Sequence, residues 1–256
     1  PQDDYATARL FLSATSARSW QPEMEILIYD TDAAPAVTAG SENGSEADVT
    51  VSVVGVASID ASGVLTRVAA STVTRTFSLV REDGQWRINS PENMVLMSRA
   101  SFTASFSLAN LYFPTTEGGD LVADPRWYPS RRLASHLLAG LVEGPRQSLE
   151  PVTANAIPPG TTVPSQGLDV VDGVARVELN AVVPATEGAR ANLAWELTRT
   201  LTQVADVSQV SVSLSGDVLD AQGIPVPPTY SLDTLVGAGP DGVGIVSSSG
   251  LTSLTN

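Results

Sequence analysis

Near the start of the chain, Tyr5, Ala8, Phe11 and Leu12 recur at helical spacing behind the acidic pair Asp3-Asp4, which suits a helix N-terminus. The spacing predicts one helix over residues 4–18, ending near Ser19. Residues 24–29 alternate as a strand does, whereas 33–46 are rich in Ala, Gly, Ser and Pro with interspersed acids and read as a mobile surface loop. Alternation resumes over 48–59, 63–70 and 72–81, a meander of three strands, and Asp83-Gly84 then supplies a two-residue turn that returns the chain through Gln85-Trp86-Arg87-Ile88. One helix beside a curved antiparallel sheet gives an α+β domain over residues 1–110.

The pattern changes at Leu111-Tyr112-Phe113-Pro114, a strand that leads through Gly118-Gly119 to Leu121-Val122-Ala123. Ser130 is placed to cap a helix whose stripes Leu133/Leu137/Leu141 and Ala134/Leu138/Val142 merge into one wide apolar face, stopped by Gly144-Pro145. Pro158-Pro159-Gly160 marks a turn, and Asp172-Gly173 a hairpin joining 167–171 to 174–179. Leu193, Leu197, Leu201 and Val204 mark a second amphipathic helix over 187–204, and residues 210–214 a closing strand. Residues 111–236 thus form a second α+β domain, again a curved antiparallel sheet with one or two helices. The Gly/Ser-rich end, 237–256, with its short apolar run at 243–246, reads as a linker or as the first strand of a further domain.

Two domains suit a chain of 256 residues. Acidic residues outnumber basic ones 28 to 14, for a net charge of −14, so nucleic acid and anionic lipid surfaces are repelled. All the basic residues are Arg. Cysteine is absent, which excludes disulfides, thiolate metal sites and cysteine nucleophiles. No apolar run is long enough to span a membrane, and the acidic start Pro1-Gln2-Asp3-Asp4 does not resemble a secretory leader, so the chain as given reads as soluble; because Pro1 opens almost directly onto an amphipathic pattern, it also reads as an excerpt of a longer protein.

Candidate chemistry is sparse. The single histidine, His136, lies on the same predicted helix as Ser130 and Ser135, and no nucleophile-elbow sequence accompanies it, so it reads as a structural histidine and no catalytic residue is assigned. The string Gly237-Ala238-Gly239-Pro240-Asp241-Gly242 spells a dinucleotide-binding pattern, yet Pro240 removes a backbone donor and no helix follows, so no cofactor is expected. The acid pairs Asp3/Asp4, Asp30/Asp32 and Asp169/Asp172 lack calcium-loop spacing, and no metal is expected. Glu178 and Glu187 have no feature that singles them out as a glycosidase pair. Asn43-Gly44-Ser45 is a glycosylation sequon on the predicted loop. The dense group Arg126-Trp127-Tyr128-Pro129-Ser130-Arg131-Arg132 combines the residue types most enriched at interface hot spots. Arg126, Trp127, Tyr128, Arg131 and Arg132 are therefore the candidate partner-binding residues, for an acidic protein or an anionic cell-wall polymer. The bland alternative packs Trp127 under the helix and leaves the arginines solvated. Tyr5, Trp20, Tyr29, Phe77 and Trp86 either fill the first domain as core or line a pocket within it.

The second unit resembles the GerMN domain, first named from spore germination and sporulation proteins. The resemblance rests on Leu137-Leu138-Ala139-Gly140-Leu141-Val142-Glu143-Gly144-Pro145, on residues 156–163 and 172–180, and on the helix end Leu197-Thr198-Arg199-Thr200-Leu201-Thr202-Gln203. Where that family often reads Asp-Leu-Ser, this chain has Glu178-Leu179-Asn180. With Gly84-Gln85-Trp86-Arg87-Ile88 in the first unit and Asp124-Pro125-Arg126-Trp127-Tyr128-Pro129 before the second, the whole chain is similar to the actinobacterial lipoprotein LpqB family. In that family a domain like nuclear transport factor 2 precedes the GerMN domain. The resemblance implies an extracytoplasmic protein, lipid-anchored to the outer face of the cell membrane by a cysteine ahead of this segment and followed by a β-propeller. It also implies a non-enzymatic accessory role, binding the sensor domain of a histidine kinase of the MtrB type. The alternative is a module that binds peptidoglycan or another cell-wall glycan, or a cell-wall enzyme.

Overall fold

The computed structural model describes residues 5–89, 91–163, 167–219, 229–230, 235–239, 242–247 and 250–253. The chain divides into two compact units. The first comprises residues 1–108 together with Arg126–Arg131, and the second residues 109–125 and 132–256. Both mix helices with sheets, as an α+β reading of each requires.

The first unit opens with two short helices, α1 (Ala6–Arg9) and α2 (Ser16–Ser19), instead of one helix across residues 4–18. The break has a local cause. The Ser13 N–H donates to the Ile88 carbonyl, Leu12 forms a bridge with Ile88, and the Ser13 hydroxyl accepts from the Ser16 N–H at 3.2 Å, so the chain is drawn off the helical path at Leu12–Ser13. Arg9 ties the pieces together, its guanidinium donating to the carbonyls of Ala17 and Trp20 at 2.7 and 3.0 Å.

Six strands follow: β1 (Glu25–Tyr29), β2 (Ala36–Asn43), β3 (Glu46–Asp60), β4 (Leu65–Glu82), β5 (Gln85–Asn89) and β6 (Val95–Ser98). They form one sheet in the order β5-β4-β3-β1-β6, with β2 also paired to β3. All pairs are antiparallel except β1 with β6. The segment 33–46, expected as a mobile loop, contains β2, every position of which is exposed. Side-chain patterning could not show it, because with no buried position its pairing to β3 rests on the backbone ladder and an exposed hydrogen bond, from the Ser41 hydroxyl to Asp48 at 3.2 Å. The two strands expected over 63–70 and 72–81 are one continuous β4. Between the pairs Gly55↔Ser71 and Ala57↔Arg67 the ladder carries a bulge, and it absorbs the extra residues without ending the strand. Asp83 and Gly84 take positive φ values of 50° and 79°, the two-residue turn expected between β4 and β5. Helix α3 (Arg99–Ser105) closes the unit, its Ser98 hydroxyl accepting from the Ser101 N–H. Phe102 of α3 packs with Ile26, Ile28, Ala57, Ile59 and Phe106 into the main apolar cluster, and Leu27, Val53 and Met94 form a second.

The hairpin of β7 (Phe106–Pro114) and β8 (Leu121–Pro129) leads into α4 (Leu133–Glu143). The expected cap at Ser130 is not formed. The Ser130 hydroxyl bonds the Ser107 hydroxyl at 2.8 Å, and α4 begins later, after Arg132 at φ 55°. The apolar face of α4 is buried as its stripes require, with Leu137, Leu138 and Leu141 almost fully enclosed. A second sheet, in the order β12-β11-β10-β9, is built from β9 (Asp169–Val171), β10 (Val174–Leu179), β11 (Gln209–Leu214) and β12 (Asp217–Leu219). Helix α5 (Glu187–Leu201) connects β10 to β11, and this crossover makes that one pair parallel. Leu193, Leu197 and Leu201 of α5 are fully buried.

Further on, β13 (Thr229–Tyr230) pairs parallel to β8. The strands β14 (Leu235–Gly239), β15 (Gly242–Ser247) and β16 (Gly250–Ser253) form a three-stranded antiparallel meander within the terminal segment read as linker or strand.

Candidate functional site

The five candidate partner-binding residues do not share one environment. Arg126 is only 2% exposed and so is not available as a surface cation. The Trp127 ring packs against the first unit's main cluster, 4.8 Å from Phe102, and the Trp127 backbone N–H donates to the Gly63 carbonyl at 2.8 Å. Tyr128 is half-buried, and its hydroxyl oxygen is enclosed. Arg131 and Arg132 alone are exposed. β8 ends at Pro129, and a strand turns successive side chains to opposite faces, so Arg126, Trp127 and Tyr128 cannot all present to solvent, whereas Arg131 and Arg132 follow the strand.

The other candidates are likewise separated. His136 sits in α4, where burial first and the Arg132 guanidinium second hold its imidazole below its ordinary range, so it is neutral at pH 7. The Ser135 hydroxyl accepts the Leu168 N–H at 2.9 Å, and Ser130 is bonded to Ser107. Both serines therefore serve the local fold. Among the described residues no group of three or more His, Asp or Glu is placed to hold a metal ion. Asp30 accepts the Asp32 N–H and pairs with Arg99 at 3.5 Å, while Asp169, Asp172, Glu178 and Glu187 are exposed. Asp3 and Asp4 lie outside the described residues. Gly237–Gly242 falls across the β14–β15 hairpin, with Gly239 opposite Gly242, and so does not open a helix. Of the aromatic set in the first unit, Tyr5 meets Trp20 edge-on at 5.8 Å, and Arg9 lies over Trp20 at 5.5 Å. Tyr29 packs on the Leu27 cluster, and Trp86 lies under Arg81.

Two polar constellations escaped the sequence. Glu196 and Thr200 of α5, and Gln203 two residues past its end, fall at i, i+4 and i+7, and each accepts a backbone N–H from a neighbouring segment. Glu196 Oε2 takes that of Ala156 at 2.9 Å, Thr200 Oγ1 that of Tyr112 at 3.0 Å, and Gln203 Oε1 that of Asn110 at 3.0 Å. Gln203 Nε2 donates back to the Asn110 carbonyl. The helix thus supplies partners for β7 and for the 155–157 turn. Burial pushes the Glu196 carboxyl well above its usual range, against the opposing pull of the Ala156 and Ile157 N–H groups. The second constellation is Asp124, fully buried on β8, which accepts from both the guanidinium and the backbone N–H of Arg146, while Arg146 Nη2 also donates to the Pro125 carbonyl at 2.8 Å. A polar stripe on an apolar helix face was the only available signal for the first. The second joins residues 22 apart with no pattern between them.

Residues 1–103 match the family model of the N-terminal domain of lipoprotein LpqB, and residues 110–220 match the sporulation and spore germination domain. Lipoprotein LpqB of Cutibacterium acnes is 32% identical over 97% of this chain and 44% of its own length. That of Thermobifida fusca is 26% identical over 87% of this chain and 37% of its own. Among solved structures, the tandem GerMN domains of the sporulation protein GerM from Bacillus subtilis are 25% identical, covering 58% of this chain and 51% of that one, with a TM-score of 0.35. The chain spans less than half the length of these curated relatives.

Proposed function

From a chain that carries both domains of the LpqB lipoprotein family in order, we propose part of an extracytoplasmic, membrane-anchored accessory lipoprotein that works by binding rather than by catalysis. Its proposed partner is the sensor domain of a two-component histidine kinase of the MtrB type. The observation that carries this reading is the paired match of the two segments, together with relatives named as lipoproteins along nearly the whole chain. Neither matched family is named for a reaction, and the hydroxyls beside His136 are engaged in local hydrogen bonds. Binding would shift the kinase between its states only by the difference in affinity for them.

Calorimetric titration of the purified kinase sensor domain with this chain, at moderate salt, tests the reading. Saturable heat and a co-migrating complex are the expected result. No heat and no complex at high micromolar concentration would overturn it, and retention of the chain on purified peptidoglycan would instead support a cell-wall-binding module.

A further inference from the structure

Each edge of the first unit's sheet is blunted except one. At β5, Leu12 bridges Ile88 and covers the outer edge. β6 is only four residues long, and β2 is interrupted by a register shift between Ala39 and Glu42 and carries the exposed Glu42 beside its last residue, Asn43, all recognised ways of discouraging strand addition. β4 differs. Its inner edge pairs with β3 from Leu65 to Val80, but its outer edge meets β5 only over Ser78–Glu82. Among the described residues, the outer edge of 65–77 bonds to no strand. The bulge occupies 68–70, which leaves residues 71–77, Ser-Thr-Val-Thr-Arg-Thr-Phe, as a regular edge without proline, acidic residue or irregularity. Ser71, Thr72, Thr74 and Thr76 are exposed. Thr74 and Thr76 join a cross-strand hydroxyl ladder with Ser52 and Thr50, at 3.0 and 3.3 Å.

The ionisable groups of this edge, Arg67 and Arg75, are both cationic on a chain of net charge −14. Arg75 is held at 3.0 Å by the exposed Glu92, a carboxylate that a competing acidic side chain could displace. We propose that residues 71–77 of β4 are a docking edge that receives an extended, acidic segment of a partner protein as an added antiparallel strand. Main-chain hydrogen bonds hold it, and a carboxylate toward Arg67 or Arg75 sets its register. A second copy of this chain fits less well, because two such acidic bodies repel. The inference rests on the binding role proposed above and assigns it a surface.

Adjacent strand residues turn their N–H groups to opposite edges. Of the variants Ser71→Pro and Thr72→Pro, therefore, one removes a donor from the outer edge and leaves the ladder to β3 intact. It is identified by an unchanged circular dichroism spectrum and melt, and both side chains are exposed, so nothing else is lost. Titrated against the MtrB-type sensor domain, this variant is expected to bind about tenfold more weakly than the parent chain or worse, and the parent's affinity should fall with rising salt. Equal binding by parent and variant would overturn the docking edge while leaving the binding role standing. Failure of both to bind would overturn the role and the edge together. A parent that sediments as a dimer, and a variant that does not, would assign the edge to self-association and overturn the partner strand.

Discussion

At the scale of single residues, the second unit depends on two buried acids of opposite character. Glu196 is enclosed without a facing cation, and its carboxyl is pushed upward by burial. A group whose pKa is higher in the folded than in the unfolded chain stabilises the fold fully below its ordinary value, and that contribution is lost as pH rises toward the folded value. Its loss is limited to about 1.4 kcal/mol per pH unit. Glu196→Gln keeps an acceptor for the Ala156 N–H and cannot ionise. The variant should therefore gain on the parent as pH rises from 4 to 8, and parallel denaturation curves across that range would refute the assignment. Asp124 is also fully buried, but against Arg146, whose side chain keeps partial access to water. Removing one partner of a buried pair leaves the other uncompensated, so Arg146→Ala should cost about 3–5 kcal/mol in urea denaturation. Asp124→Asn should cost less, because Arg146 can turn to solvent. If the order of the two losses were reversed, the burial of Asp124 would not be the controlling term.

Among elements, those with a buried face were legible and those held by backbone or by distant polar groups were not. The α5 stripe of Leu193, Leu197 and Leu201, the α4 face and the alternation of β3 all read directly from apolar spacing, because each has one side in a core. β2 has no buried position and so presented only a loop-like composition. The first helix was over-extended for the converse reason. Its apolar spacing is real, yet Leu10 and Phe11 are 71% and 61% exposed, because Leu12 and Ser13 are captured by Ile88 of β5, which lies far along the chain. Of the candidate binding residues, only Arg131 and Arg132, which follow β8, are exposed, since residue type says nothing of which face of β8 Arg126, Trp127 and Tyr128 take. The β3–β4 turn shows how a glycine can be fixed by its neighbour. Gly63 adopts φ +80°, and a Cβ there would lie 2.8 Å from the Trp127 carbonyl oxygen. Gly63→Ala should thus destabilise the first unit by about 1–3 kcal/mol, whereas Gly84→Ala, at a similar φ with open space around it, should suffer only the conformational part. Similar losses at both sites would show that the contact with Trp127 adds nothing.

At the scale of the whole molecule, the units defined by contacts and the segments defined by family matching divide the chain differently. The first matched segment ends at residue 103 and the second begins at 110, yet Arg126–Arg131 pack with the first unit. The consequence turns on Trp127, which lies within the second matched segment and still closes the cluster of Ile26, Ile28, Ile59 and Phe102 of the first. A fragment of residues 1–110 would keep every strand from β1 to β6 but lose this ring, together with the hydrogen bond to Gly63 that pins the β3–β4 turn. Trp127→Ala in the full chain isolates the ring. It should cost about 2–3 kcal/mol, below the roughly 3–5 kcal/mol of a fully buried large aromatic because the side chain is only half-buried, and the loss should fall on the first unit. The 1–110 fragment should melt below even that variant, since it also lacks the backbone contact, and a synthetic peptide of residues 121–131 should restore part of the difference. A fragment as stable as the parent's first unit would mean that the matched segment is self-sufficient and that residues 126–131 merely rest on it.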